Sequence, residues 1–388
     1  MKQNNYIIYH DSCMDGFIAG MLTHYKAIYD GIPGDSIIMF PSQYGGSIPT
    51  DIKSGDNVTI IDFSYPKEEL LELVKNNVNV TVVDHHKSFI ETFEESLTEE
   101  SKTLPYFEVC SCPNGDKHSL FTDKIEEDNQ KGKIVFYLSN NEDAKKPSLY
   151  KRSGAGLCAD LLQNNTQFTA FLKSFARKDI IEIIRLAQQY DLWLHNGETH
   201  HDCTYLSFWF YDWYKEVEAI RKRLLTNPSQ SNNDFIMLKT LFNMISFEDK
   251  IKKGKKLVED KVYLIRKLCE KVIEVSSTII DKDIKVGFIP GDDPAKLGIS
   301  MTGSTLVKEF GYDVAIMEAK VGKDTIVYSL RSNQNAKNVD VSAICQKMKD
   351  LGIAITGGGH RNAAGVTLPY DPLNAKLTDK SGKFFIPV

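Results

Sequence analysis

Asp84-His85-His86 directly follows the β-branched run NVTVV, so a carboxylate and two imidazoles fall within one turn. Two further segments end alike: His10-Asp11-Ser12-Cys13-Met14-Asp15-Gly16 follows YIIY, and Asp62 follows VTII. Carboxylates and imidazoles are the ligands that hard or borderline divalent cations accept. The chemistry such a set serves is hydrolysis of a phosphate ester. That reaction needs an activated water, neutralised phosphoryl charge and a held leaving group, and two metals roughly 3.5–4 Å apart supply all three.

Each segment taken singly has a plainer explanation. Asp15 also suits a cap on the helix FIAGMLTHY, and His10 a satisfied histidine at a strand edge. Asp62 also suits a turn with Phe63 and Ser64. Asp191 ends the apolar-periodic segment IIEIIRLAQQYD, where a negative charge opposes the helix dipole unless a cation lies near; the alternative is a solvated helix end. Near the C-terminus, Gly357-Gly358-Gly359 precedes His360, Arg361 and Asn362. Three glycines can be a flexible turn, but exposed backbone N–H groups beside a cation suit an anion. Arg361 and Arg331, the latter at the end of TIVYSLRS, add fork-like donors that match phosphate.

The elements that must position these residues read as α/β. Short β-branched runs at 6–9, 58–62 and 79–84 alternate with helical periodicity, which predicts a parallel sheet with helices on its faces. Ligand sites in such sheets form beyond the carboxyl ends of the strands, where His10, Asp62 and Asp84 to His86 fall. Residues 94–150 read as an insertion, with a hairpin at 106–122 and a strand near 133–138. Residues 205–283 read as mostly helical, including one long charged helix over 248–275. Beyond them KVGFIP, DVAIME and TIVYSLRS read as strands, with helices at 303–310 and 340–350. The expected organisation is a catalytic domain over 1–200, a helical connector over 201–284, and a smaller α/β substrate-binding domain over 285–388, with the active site in the cleft between domains.

Composition narrows the function classes. The chain has 388 residues, 42% hydrophobic and 26% charged, and no run approaches the roughly 20 apolar residues of a membrane span. The N-terminus goes from a few polar residues straight into a strand, unlike a secretory signal, and seven cysteines without zinc-ribbon spacing suit a reducing cytoplasm. A formal net charge of −5 argues against coating long nucleic acid by bulk attraction and favours short phosphorylated substrates.

Taken together, these residues resemble the DHH family of phosphoesterases with its DHH-associated C-terminal domain, a group of nanoRNases, single-strand exonucleases and cyclic-dinucleotide phosphodiesterases. The motifs are His10 through Gly16, Asp62, Val83-Asp84-His85-His86, Asp191 and GGGHRNAAG at 357–365, in the family's order and over most of the chain. The resemblance implies one metal site with His10 and Asp62 and a second with Asp15, Asp62, His85 and Asp191, Asp62 bridging both. His86 would face the phosphate, Asp84 would orient the imidazoles, and Arg331 with Gly357, Gly358, Gly359, His360, Arg361 and Asn362 would hold the substrate. The family's first motif commonly has two aspartates. Here Cys13 takes the place of the earlier one in a loop one residue shorter, and Asp11 is a second candidate for that role.

The cofactors implied are two divalent ions, manganese foremost, with magnesium, cobalt, zinc or iron as alternatives where the softer Cys13 thiolate is a ligand. The activity implied is cleavage of short single-stranded RNA or DNA to nucleoside monophosphates, and the chain is compatible with a homodimer. The alternatives are a cyclic or linear dinucleotide phosphodiesterase and a non-catalytic nucleotide-binding relative. A pyrophosphatase fits less well, because the GGGH segment with Arg331 is unlike that enzyme's C-terminal domain.

Overall fold

The computed structural model describes residues 2–86, 107–111, 134–138, 152–163, 179–192, 194–195, 198–276, 280, 283–321, 325–333, 339–369, 377–378 and 384–385. The chain forms two compact units, Met1–Val258 and Glu259–Val388.

In the first unit, strands Asn5–His10 (β1), Ile37–Ser42 (β2), Asn57–Ile61 (β3), Asn79–Asp84 (β4), Phe107–Ser111 (β5) and Ile134–Leu138 (β6) make a six-stranded sheet in the order β2-β1-β3-β4-β6-β5. Every pairing in it is parallel. A parallel sheet needs both faces covered, and the residues of β1 show how. Tyr6 and Ile8 join Val58, Ile60, Val80, Val82 and Leu70 in one core, whereas Ile7 and Tyr9 join Ile61 and Val83 in another.

Helix Lys67–Lys75 (α2) supplies Leu70, Leu73 and Val74 to the first of these cores. The second is covered by Met14–Tyr29 (α1), Gly154–Gln163 (α3), Ile180–Asp191 (α4), Asp202–Glu216 (α5), Glu218–Thr226 (α6) and Ser231–Met244 (α7). Phe17 of α1 is fully buried, with ring centroids 5.5 Å from Trp213, 5.5 Å from Phe242 and 5.7 Å from Phe210. Burying such a ring stabilises by roughly 1.5–3 kcal/mol. It also fixes the end of α1 that presents Cys13 and Asp15.

Three sequence expectations change. Strand β2 is additional, and it lies beside β1 through the pairs Asn5↔Ile37 to His10↔Ser42. The segment expected as an insertion contributes β5 and β6, which pair in parallel with each other and, through β6, with β4, so it extends the main sheet. The expected hairpin over 106–122 lies outside the described residues beyond Ser111. The long helix Phe247–Cys269 (α8) ends earlier than expected. Ile273–Ser276 is a strand (β7), because Ile273 and Val275 find partners in Phe288 and Val286.

The second unit adds Val286–Ile289 (β8), Val314–Val321 (β9), Thr325–Ser332 (β10), Thr356–His360 (β11), Ala363–Pro369 (β12), Leu377–Thr378 (β13) and Phe384–Phe385 (β14). Its eight strands run in the order β11-β12-β10-β9-β8-β7-β14-β13, in a mixed sheet. Helices Asp293–Leu297 (α9), Ile299–Lys308 (α10) and Val341–Asp350 (α11) complete it. Cys345 and Met348 of α11 pack in one core with Val314, Ile316, Leu330 and Val366, and Leu306 and Val307 of α10 in another with Ile289, Ala315 and Met317. The architecture is thus the expected α/β one, a parallel sheet in the N-terminal half and a smaller α/β unit after it. Among the described residues no helix is long and apolar enough to cross a membrane.

Candidate metal centre

Strand register assembles the site. Tyr9 pairs with Ile61 and Ile61 with Val83, so the next residue on each strand, His10, Asp62 and Asp84, stands in one row at the carboxyl edge of the sheet. Three adjacent strand ends therefore deliver their polar side chains to one place.

Asp62 is the centre of it. The residue is fully buried, and its two carboxylate oxygens face different partners. Oδ2 lies 3.5 Å from His10 Nδ1 and 3.4 Å from Cys13 Sγ, while Oδ1 lies 3.2 Å from His85 Nε2. The backbone of Asp62 has φ +65°, a left-handed conformation that costs a non-glycine residue roughly 1–2 kcal/mol. Its N–H donates to Val83 O at 2.8 Å, which ties it to β4 while the side chain turns inward. Burial opposes ionisation of Asp62, but the adjacent imidazoles of His10 and His85 hold its carboxyl well below the usual range.

Asp15 does not act as a helix cap. The N-cap of α1 is Cys13, which makes no capping bond and turns its thiol to Asp62 instead. The Asp15 carboxylate accepts from Ser153 Oγ at 2.6 Å and from Ala155 N at 2.9 Å. It therefore faces the amino end of α3, where the helix dipole favours negative charge. Gly154 lies against Asp62, since a Cβ there would stand 2.6 Å from Asp62 Cβ and Oδ1. Gly16 is similarly constrained, because a Cβ there would stand 2.5 Å from His10 O.

His85 lies between carboxylates, its Nε2 3.2 Å from both Asp62 Oδ1 and Asp191 Oδ2. Burial alone would lower its pKa, but the bond and charge of Asp62, with Asp191 and Asp15, raise it to about 9. Burial and the charge of Asp62 raise Asp191 to about 6. Burial, with the charges of Asp62 and Asp191, pushes Asp15 well above its ordinary value. Several buried acids facing one point repel each other, and a cation at that point removes the repulsion. Asp84 Oδ1 takes the backbone N–H groups of His85 and His86 at 2.8 and 3.2 Å and lies 2.7 Å from His86 Nδ1. Asp84 thus holds the His86 imidazole directly and His85 through its backbone N–H.

Among the described residues, three sets of ligand atoms come within 4.8 Å of one another: His10, Cys13 and Asp62; Asp62, His85 and His86; and Asp15, His85 and Asp191. Among the described residues, His10 Nδ1, 3.5 Å from Asp62 Oδ2, and Asp191 Oδ2, 3.2 Å from His85 Nε2, are buried atoms whose nearest polar neighbours are other candidate ligands, which suits a metal ligand better than a structural polar group. The donor set therefore fits divalent cations, with a sulfur on the His10 side. The other candidate for that side, Asp11, is turned away. It accepts from Tyr214 Oη at 2.8 Å and from Arg221 at 3.0 and 2.8 Å, and Arg221 also donates to Ser12 Oγ at 3.0 Å. The arginine stacks 3.8 Å over Tyr214, so Asp11 braces the loop from behind.

The glycine-rich segment of the second unit is a strand rather than a loop. Gly357 to Gly359 lie in β11, at the edge of the sheet, paired with Val366 to Ala364 of β12. Close packing requires glycine at Gly357 and Gly359, whereas a Cβ on Gly358 would meet nothing within 4 Å. A Cβ on Gly357 would meet Val366 Cγ1 at 2.6 Å, and one on Gly359, with φ +143°, would meet Ala363 O at 2.5 Å. Arg361 and Asn362 form the hairpin turn, and Arg331 pairs with Ala363 across β10 and β12, so these residues share one end of the sheet. Asn362 Oδ1 accepts from Ser332 Oγ at 3.2 Å, which fixes the turn. Arg331 donates to Leu330 O and Ser300 Oγ, meets no carboxylate among the described residues, and has its pKa lowered by burial. The side chain of His360 lies outside the described part of the structure.

Ser153, Gly154 and Ala155 are site residues that the motifs do not reveal. Their one trace in the sequence is the run of small residues SGAG opening a helix.

No family model matches the chain, and no curated protein matches it. Among solved structures, the chain is similar to a DHH-domain protein described as belonging to a family of ribosomal proteins, at 15% identity and a TM-score of 0.48, covering 94% of this chain and 83% of the other. It is similar to RecJ in complex with Mg2+ from Thermus thermophilus, at 13% identity and a TM-score of 0.40, covering 94% of this chain and 47% of RecJ. It is also similar to an exopolyphosphatase-related protein from Bacteroides fragilis, at 12% identity and a TM-score of 0.37, covering 94% and 86%. Likenesses of this degree assign no activity, which rests on the motif residues and their geometry.

Proposed function

We propose that this protein is a two-metal phosphodiesterase of the DHH type that cuts short single-stranded oligonucleotides to nucleoside monophosphates. The observation that supports it most is the split carboxylate of Asp62, with His10 and Cys13 beside one oxygen and His85 beside the other. A single buried carboxylate shared in this way is what a bridging ligand between two cations requires.

His10, Cys13 and Asp62 would hold one ion, and Asp15, Asp62, His85 and Asp191 the other. Two such ions, when bound, activate water at neutral pH and neutralise charge on the phosphoryl oxygens. The carboxylate and imidazole set of Asp15, Asp62, His85 and Asp191 suits manganese, and the Cys13 thiolate on the other side extends the choice there to zinc, iron or cobalt.

The chain's own groups do the rest. Asp84 holds His86 through Nδ1, and the bond to Asp84 raises the pKa of His86 against the effect of burial. A protonated His86 then presents Nε2–H to a phosphoryl oxygen, a charge-assisted donor. In the second unit Arg331, which meets no carboxylate among the described residues, and the hairpin of Gly357 to Asn362 would bind the substrate's terminal phosphate or nucleotide. The roles we assign are catalysis over 1–200 and substrate binding over 285–388; 201–284 joins them, with its helices over 202–244 packed into the core of the first unit. A net charge of −5 supports short substrates over long ones, and the free thiols of Cys158, Cys203, Cys269 and Cys345 support a reducing cytoplasm.

The test is digestion of end-labelled RNA and DNA, from dimers through pentamers to long single strands, by protein reconstituted with Mn2+, Mg2+, Co2+, Zn2+ or Fe2+. Release of monophosphates from the short substrates, abolished by a chelator and by Asp62→Asn, is the expected result. Cleavage of none of them with any ion, or undiminished cleavage by the Asp62→Asn variant, overturns the reading.

A further inference from the structure

One aromatic ring at the metal centre has no part in the chemistry above. Tyr44 follows β2 in a tight turn, closed by Gly46 N–H donating to Gln43 O at 2.8 Å. Gly45 occupies the third position with φ +78°, which gives a type II turn and leaves Tyr44 at the corner. A Cβ on Gly46 would meet Ser42 Oγ at 2.8 Å and Gln43 O at 2.9 Å, so the turn has little slack. The buried Tyr65 fastens its base, with its hydroxyl 2.9 Å from Ser42 Oγ and 3.5 Å from Ser47 O. Adjacent to this, Asp11 N–H donates to Ser42 O at 2.6 Å, which joins the turn to the His10–Cys13 loop.

The turn carries the Tyr44 ring to the metal centre. Its centroid lies 5.7 Å from that of His10 and 5.5 Å from that of His86, at interplanar angles of 77° and 83°. Phe63 stands 6.1 Å away at 85°. Each of these neighbours meets the ring at a steep angle, and no ring among the described residues lies parallel to it. Tyr44 is 47% exposed. Its hydroxyl makes no hydrogen bond among the described residues. A large aromatic that is clamped at its base, exposed to solvent and lacking a parallel partner has the form of a stacking platform.

We infer that Tyr44 binds the nucleobase of the nucleotide next to the scissile phosphate, by stacking. This deepens the proposed function and rests on it. A phosphate held between His10 and His86 has its ribose and base within reach of a ring that touches both imidazoles. Every base has a π-face, so the platform reads no sequence, and the unbonded hydroxyl fits that indifference. A polyphosphate has no planar group and gains nothing from the ring. Tyr44 therefore selects nucleotides over inorganic phosphate chains at a centre whose ligands would serve either.

The experiment compares wild type, Tyr44→Phe and Tyr44→Ala, each with equal metal content and an unchanged melting temperature. The substrates are a linear dinucleotide, the same dinucleotide lacking one base or the other, and inorganic tripolyphosphate. Tyr44→Ala should lose roughly 5- to 150-fold in kcat/KM on the dinucleotide, the contribution of one stacked base, mostly through KM. Tyr44→Phe should match wild type. Removing the base on the platform side should bring wild type to the level of Tyr44→Ala and cost that variant nothing further. Equal losses by Tyr44→Ala on every substrate would show a ring that merely supports His10 and His86, and would overturn the inference. So would a Tyr44→Phe variant as impaired as Tyr44→Ala. A wild type that cleaves no substrate with any divalent ion overturns the phosphodiesterase reading itself, and the platform with it.

Discussion

Replacing Gly154 by alanine tests the proposed metal centre without substituting any proposed ligand. The new Cβ would stand 2.6 Å from Asp62 Cβ and Oδ1, whereas ordinary contact begins at 3.4 Å. Either the Asp62 carboxylate or the start of α3 must move by about 0.8 Å, and a misplacement near 1 Å can cost about 100-fold in rate. Movement of α3 also disturbs Asp15, whose two hydrogen bonds come from Ser153 and Ala155. Both metal sites share Asp62 in the proposed arrangement, so both should weaken together. Overpacking of this kind costs roughly 1–3 kcal/mol, which leaves a protein of ordinary stability folded. The assay is titration calorimetry with Mn2+, with turnover of a labelled dinucleotide and a thermal melt on the same preparation. We predict a folded variant with weakened binding at both sites and turnover down by about two orders of magnitude. Wild-type metal affinity and turnover in Gly154→Ala would refute the claim that α3 positions the bridging carboxylate.

Three further predictions concern other parts of the molecule. Cys13→Asp should shift metal preference on the His10 side from zinc or cobalt toward manganese or magnesium, read as relative affinities by calorimetry; an unchanged order would remove the thiol from the ligand set. Arg331→Ala should raise KM for short oligonucleotides by roughly 10- to 150-fold, the loss of a charged hydrogen bond, while metal affinity stays at the wild-type level. An unaltered KM would detach Arg331 from the substrate. Lys239 is buried against His24, its Nζ 2.6 Å from Nδ1, and burial lowers its pKa to about 7. Its unfolded value is about 10.4, so between about pH 7 and about pH 10 the unfolded chain binds the extra proton and stability rises with pH. Lys239→Met should flatten that rise, by an amount on the order of a few kcal/mol at most, measured as urea midpoints at the two pH values. An equally steep rise in the variant would contradict it.

The strand-end ligands are legible in the sequence because the pattern is local. A β-branched run followed by Asp or His is a parallel strand with a polar end, and adjacency of β1, β3 and β4 does the rest. Spacing does not decide between Cys13 and Asp11. The choice depends on Ser12 turning through φ +55° and on Arg221 and Tyr214, two hundred residues away, claiming Asp11. The hold of Ser153 and Ala155 on Asp15 is likewise a long-range contact with no periodic signature. The glycines of β11 read as a loop because glycine is a poor strand former. They form a strand because β12 pairs with them and Gly357 and Gly359 admit its close approach. Helix α8 reads too long at its C-terminus for a similar reason, since only pairing with β8 distinguishes the IEVS segment from one more helical turn.

The bond between Asp15 and Ser153 spans 138 residues, which gives the centre a history as well as a geometry. A ribosome adding 5–20 residues per second needs roughly 7–30 s to travel that far. During that interval Asp15 has emerged and the helix end that steadies it has not been made. Asp191 comes later still. His10, Cys13 and Asp62 are all synthesised within the first stretch of chain, so the cysteine-bearing half of the centre can meet a cation before the aspartate-rich half exists. In the proposed two-ion arrangement, the order of translation would make the Cys13 side available to a cation before the Asp15 and Asp191 side.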